Sequence, residues 1–348
     1  MATSAAALCL GPNGGGALEI QQLPRQEPSP DEIEIAVEAA SVNPIDVRRS
    51  EGYGRRLLSL LGAAGFPLVL GNDFAGSVSA VGARVSPLRI GDRVYGVKPP
   101  SARGTHACHV VVKAAHALPA PAGRDLQELA ALPYSFITMW LAVHGAGLTR
   151  QNASGRKVLV HGAAGGLGTL ALQMLSAWGA SVTAIARPTA FDACRRSGAV
   201  SFIDVATRPF FGLARSFDAT LNFATWDDDF ALLGCLADGA LGHATTVHPM
   251  LRHFDERGWL MGALQVLRDK RRHRAALPKK TENYAWTTFR PDKHALSDLE
   301  ELVGKTALDL PIGLRVPLAE AGNAFEHVRN GRPGRALILP KQAGASVP

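Results

Sequence analysis

The sequence predicts an α/β protein of two domains, one built on a doubly wound parallel sheet and one a smaller β-barrel-like domain. Three observations carry this. In KVLVHGAAGGLGTLALQ (157–173) a short apolar run breaks into closely spaced glycines before a helical pattern resumes. Four strand-like runs follow at the spacing of strand-helix repeats: SVTAIA (181–186), SFIDV (201–205), DATLNFA (218–224) and HATTV (243–247). The chain before residue 126 instead carries short alternating segments between glycines, and with 348 residues the whole is too long for one ordinary core.

Taken in order, DEIEIAVEAASVN sets Ile33, Ile35, Val37 and Ala39 on one face and Glu32, Glu34 and Glu38 mostly on the other, the alternation of a half-buried strand. FAGSVSAVG, GDRVYGV and HACHVVV are further strand candidates. From LQELAALPYSFITMWLAV onward the pattern turns helical, with Leu129, Leu132, Phe136, Trp140 and Val143 spaced for one buried face. After the glycine turn, Leu167, Leu170, Ala171, Met174, Leu175 and Trp178 recur on one helical face. IGLRVPLAEAGNAFEHVRNGRPGRALILP then offers a strand, a short helix and a last strand, too few elements for a domain. The expected organisation is therefore residues 1–125 with 306–348 in the β domain, and 126–305 in the α/β domain.

The glycine turn is where chemistry enters. Gly162, Ala163, Ala164, Gly165, Gly166, Leu167 and Gly168 lie between a strand and a helix, where glycines let the backbone approach a pyrophosphate and the helix amides face it. The G-x-G-x-x-G pattern is relaxed here to Ala163, Gly165 and Gly168, and an ordinary strand-to-helix turn is the competing reading. At the end of the next strand, Ala186 takes the place of the carboxylate that binds a ribose 2′-hydroxyl, and Arg187 stands beside it. That pair favours a 2′-phosphate, hence NADPH, although Arg187 also reads as a loop residue and Arg195 or Arg196 as the phosphate ligand.

Composition narrows the class. A charged fraction of 19% with nearly half the residues apolar describes a globular chain without a run long enough to span a bilayer. The N-terminus has no positive region before its apolar stretch, so a cytoplasmic location is expected, or the mitochondrial matrix if a transit peptide was removed. Cys9, Cys108, Cys194 and Cys235 are widely spaced, as reduced thiols would be. The net charge of +7 is mostly scattered, which argues against a nucleic-acid partner. Its one dense cluster, Arg268, Lys270, Arg271, Arg272, Arg274, Lys279 and Lys280, reads as a solvated helix face or as a site for an acidic partner or a phosphate-bearing substrate.

The stretches SVNPIDVRRSEGYG, FPLVLGNDFAGSVSAVG, GDRVYG, LPYSFITMWLAV, VLVHGAAGGLGTLALQ and NGRPGRALIL resemble the medium-chain dehydrogenase/reductase superfamily, in its zinc-free quinone-reductase branch. Within that branch they are most similar to the reticulon-4-interacting group of mitochondrial oxidoreductases. The resemblance implies a GroES-like barrel, a Rossmann cofactor domain, NADPH and a homodimer. Zinc members place a Cys and a His where this chain has its NPID segment and Asn72, and a neutral amide is no substitute, so no catalytic metal is expected. His106 and Cys108 would share one face of a strand and His109 the other, which disfavours a metal there too.

The resemblance also assigns roles. Asn43 and Asp46 match the family's N-P-x-D motif at the nicotinamide pocket, against a capping role in a turn. Tyr53 offers a hydroxyl to a developing enolate or quinol oxygen, or is a turn tyrosine. Thr138 corresponds to a position near the nicotinamide carboxamide, or bonds its own helix, and Asn222 lies at a strand end where α/β sheets bind ligands. The expected activity is NADPH-dependent hydride transfer to a small quinone or α,β-unsaturated carbonyl substrate. Enoyl-thioester reduction and an NADPH-binding interaction or sensor role with weak catalysis are the alternatives.

Overall fold

A computed structural model describes residues 2–207, 212–305 and 308–340. The chain divides into two compact units, Met1–Tyr134 with Pro291–Pro348, and Ser135–Arg290. The first unit opens with β1 (Thr3–Cys9), β2 (Leu18–Pro24), β3 (Glu32–Val42), β4 (Leu68–Val69), β5 (Asp73–Val81), β6 (Arg93–Val97), β7 (His109–Lys113) and β8 (Ala117–Pro119). The second holds β9 (Lys157–His161), β10 (Ser181–Ala186), β11 (Ser201–Asp204), β12 (Ala219–Asn222), β13 (Gly242–Thr245) and β14 (Asn283–Trp286). With β15 (Ile312–Pro317) and β16 (Arg335–Leu339) the chain returns to the first.

In the first unit β1 lies between β2 and β4, and a larger sheet runs β15-β16-β3-β5-β6-β8 with β7 also paired to β3. Ile33, Ile35, Val37, Phe74, Val94 and Val112 form one core of this β domain. The other face of β3 departs from the alternation read in the sequence. Glu34 is buried, because Arg25 forms an ion pair with it and the Ser79 hydroxyl donates to it at 2.6 Å. A carboxylate can leave water when charge and hydrogen bonds are supplied in place of it. A second core gathers Val42, Val47, Leu70, Val316, Phe325 and Ile338, so the helix Ala321–Arg329 packs on the strand pair that closes the chain.

Every ladder of the second unit is parallel, in the order β11-β10-β9-β12-β13-β14. Counted from β9 this is 3-2-1-4-5-6, the Rossmann order, and it reverses direction between β9 and β12. The helix Gly166–Ala177 lays Leu170, Ala171, Met174 and Leu175, all fully buried, against the sheet, the face its spacing predicts. The helical stretch before β9 differs from expectation in two ways. It is two helices, Leu126–Ala130 and Pro133–Gly145, the second starting where Pro133 needs no amide partner. That second helix is buried on most sides, with Phe136, Ile137, Met139 and Val143 at zero exposure, rather than along one stripe.

Candidate functional site

In the second unit the candidate site is the turn after β9. His161 ends the strand and Gly162 follows with φ +78°, a left-handed conformation that suits glycine. The Gly165 amide donates to Gly162 O at 3.0 Å, and Gly165 caps the helix Gly166–Ala177. A Cβ on Gly168 would stand 2.2 Å from Gly162 O and 2.5 Å from the Ala163 Cα, so helix and turn pack this closely only because none is there. Ala163 is buried beneath, while Ala164 and Gly165 are exposed and Gly166 and Leu167 partly so. The first helical turn carries no acidic residue. The positive end of the helix dipole and the missing Cβ atoms fit the diphosphate of a dinucleotide.

Beside this turn is the point where strand order reverses. Asn222, at the end of β12, stands in register with His161. Its amide nitrogen donates to Thr225 O at 2.8 Å and Asp229 Oδ1 at 2.9 Å, and its oxygen accepts from the Ala224 amide at 3.2 Å, so the side chain shapes the following turn. His161 is itself buried and pairs through Nε2 with Asp228 Oδ2 at 3.0 Å. No sequence motif marks that pair. At the end of β10, Ala186 is buried and Arg187 exposed, immediately before the short helix Pro188–Ala190. Arg195 is engaged elsewhere, paired with Asp192 and lying 4.8 Å over the Phe202 ring. Thr138 is buried in the helix Pro133–Gly145.

The first unit holds a buried polar cluster of its own. Asn43 precedes the helix Pro44–Ser50, and Asp46 in its first turn accepts the Asn43 amide at 2.9 Å and the Gly71 amide at 3.1 Å. The Asn43 side chain donates to Asp73 Oδ2 at 2.8 Å and accepts from Arg335 Nη2 at 2.5 Å. The Ser41 hydroxyl also donates to Asp73, as does the Tyr134 amide at 2.5 Å. Burial pushes the Asp73 carboxyl up to about 6, opposed by Arg335 and these donors. Both sequence-predicted residues are thus brought together with Asp73 and Arg335, which sequence reasoning missed. Tyr53 sits in the turn after the helix, half-buried, with the Arg48 guanidinium 5.6 Å from its ring centre.

Asn72 adjoins this cluster. Its amide nitrogen donates to Lys98 O at 2.8 Å, while its buried oxygen has no partner among the described residues. His106 Nε2 meets Ser41 O at 3.1 Å, Cys108 lies 3.5 Å from Pro340 O, and His109 Nδ1 meets Ser4 Oγ at 3.0 Å. The three thus serve separate contacts, and only His109 belongs to the strand. Among the described residues no group of three or more His, Cys, Asp or Glu is placed to hold a metal ion.

Residues 29–122 match the family model described as alcohol dehydrogenase GroES-like domain. The chain is 33% identical over 327 residues to the human NAD(P)H oxidoreductase RTN4IP1, mitochondrial, covering 89% of this chain and 82% of that protein. Its fold is shared with a quinone oxidoreductase from Coxiella burnetii, with a TM-score of 0.76, 22% identity and coverage of 98% and 100% of the two chains. The CurK enoyl reductase is equally similar, at TM-score 0.76, 22% identity and coverage of 97% and 99%. A GroES-like β domain on one chain with a dinucleotide-type parallel sheet defines a medium-chain dehydrogenase/reductase, an oxidoreductase class. Within that class the chain belongs to the RTN4IP1 family of NAD(P)H oxidoreductases.

Proposed function

We propose that this protein is an NADPH-dependent reductase that transfers hydride to a quinone or another α,β-unsaturated carbonyl compound without a metal. The observation that carries the cofactor choice is the end of β10, where buried Ala186 replaces a carboxylate and exposed Arg187 follows. A charge-assisted hydrogen bond to a 2′-phosphate, worth roughly 1.5 to 3 kcal/mol, corresponds to about one to two orders of magnitude in affinity. The acceptor class is supported by the name of the Coxiella neighbour, a quinone oxidoreductase.

Bound NADPH supplies the hydride; the protein supplies position and polarity. In this reading the turn from Gly162 to Gly168 cradles the diphosphate, with the start of the following helix facing it, and Arg187 binds the 2′-phosphate. Asn222 shapes the turn beside them, and Thr138 contacts the carboxamide. Asn43 and Asp46 are positioning residues, since Asp46 holds the backbone amides of Asn43 and Gly71 while the Asn43 side chain holds Asp73 and Arg335, and Tyr53 offers the hydroxyl that donates a proton to the reduced oxygen. The proposal includes a homodimer, acting in the mitochondrial matrix, which the relatives' printed description as mitochondrial allows, or in the cytoplasm.

Enoyl-thioester reduction is the second reading, favoured by the CurK neighbour and by the exposed basic cluster. A panel of quinones, enones and enoyl thioesters, followed by NADPH oxidation, separates them. Fast turnover on the first two is expected. Turnover on enoyl thioesters alone supports the second reading, and tight NADPH binding with no turnover indicates a sensor.

A further inference from the structure

The helix Met250–Ala275 between β13 and β14 is interrupted at Gly258, whose φ of 75° and ψ of −174° are not helical. The segment after this kink is turned inside out relative to an ordinary surface helix. Leu260, Leu264 and Leu267 are 74%, 51% and 51% exposed, and Arg271 continues the same i, i+4, i+7, i+11 stripe. Trp259 and Met261 flank it, also exposed, so this segment holds five of the thirteen exposed large hydrophobic residues found among the described residues.

The inward face explains the orientation. A Cβ on Gly262 would lie 2.9 Å from His253 O, so the segment packs tightly against the turn before the kink. Asp269 then accepts from Gln265 at 2.8 Å and pairs with His253 at 2.8 Å, and its carbonyl meets His273 Nδ1 at 2.9 Å. A set of polar ties thus fixes which way the helix faces, with its leucines outward. Soluble helices carry the opposite pattern, and an exposed contiguous apolar face marks an interaction surface.

Charge selects the occupant. Between residues 259 and 280 the basic side chains are seven and the sole acidic one is Asp269, already held by His253 and Gln265. A two-fold copy of the chain would set this basic stripe against itself, which like-charge repulsion disfavours. An apolar stripe that runs into arginines instead matches the headgroup boundary of an anionic bilayer, where leucines and a tryptophan enter the interface and arginines meet phosphates. No helix among the described residues is long and apolar enough to cross a membrane, so the segment would lie on the surface.

We propose that residues 259–274 dock this protein on membranes containing anionic phospholipid. The test is co-sedimentation of the full chain with phosphatidylcholine–phosphatidylglycerol vesicles and with vesicles of phosphatidylcholine alone. Binding is expected to the mixed vesicles, to fall with added salt, and to weaken at least about tenfold in Leu260→Ser/Leu264→Ser and in Arg268→Glu/Arg271→Glu. All four positions are exposed, and unchanged thermal unfolding will show that the variants fold. Absence of binding to mixed vesicles, or equal binding by parent and variants, overturns the proposal. So does a patch variant that dissociates a dimer while the parent ignores vesicles, since that assigns the surface to a second copy. The outcome is independent of which acceptor the enzyme reduces.

Discussion

Arg335 donates to Asn43 Oδ1 at 2.5 Å across 292 positions of sequence, and the same guanidinium lies 3.9 Å from Asp73. Strand β16 thus supplies the cation for a cluster whose other side chains, those of Ser41, Asn43, Asp46 and Asp73, come from the first 75 residues. That cation is partial compensation, because burial still holds the Asp73 carboxyl up at about 6.

A raised carboxyl in the folded state means that the native protein binds this proton more tightly than the unfolded chain. Between the ordinary value of 3.8 and about 6, the Asp73 contribution to stability therefore falls as pH rises and is recovered as pH is lowered. The span corresponds to about 3 kcal/mol at most. Asp73→Asn should flatten this component of the denaturant-unfolding profile between pH 4 and 6. An unchanged profile in the variant would contradict the assignment.

Asp46→Ala should act on folding before it acts on chemistry. The substitution strands the Asn43 and Gly71 amides, both buried, at a cost of about 1 to 3 kcal/mol each. A clear fall in melting temperature is expected, and Asn43→Ala, which frees Asp73 and Arg335 of a partner, should follow it. Full thermal stability with lost turnover would instead make these residues participants in the reaction.

Gly168→Ala tests the cradle. With its Cβ 2.2 Å from Gly162 O the helix must shift off the turn, so both melting temperature and NADPH affinity should fall, the latter by about tenfold or more. Fluorescence titration with NADPH reads the second effect. A variant that binds NADPH as the parent does would place the dinucleotide elsewhere.

The purified protein is expected to contain no stoichiometric zinc and to keep its activity in chelator, because Asn72 spends its amide nitrogen on Lys98 O and an amide is a poor zinc ligand. Elemental analysis finding one zinc per chain, with activity lost on its removal, would overturn this.

The parallel sheet was the most legible part of the fold. Five of its six described strands are short runs ended by turn residues, and β10 coincides with the run read at 181–186, whereas the half-buried edge strand β14, NYAW, carries no such signal. The glycine turn was equally plain, since its backbone requirement is written in residue type. Asp73 and Arg335 were not legible, because a buried ion and its partner, brought together only by sheet closure, leave no local pattern. Glu34 looked solvent-facing for the same reason: Arg25 and Ser79 reach it from other segments. In the helix Met250–Ala275, Leu260, Leu264 and Leu267 recur at helical spacing yet face outward, and periodicity reports a face without saying what covers it.

The central claim is an NADPH-dependent oxidoreductase whose cofactor choice is made at the end of β10, and steady-state kinetics with both nucleotides test it most directly. The parent protein should show kcat/KM for NADPH about one to two orders of magnitude above that for NADH. Arg187→Ala should remove most of that preference while leaving NADH use little changed. Equal or higher efficiency with NADH in the parent protein would contradict the account.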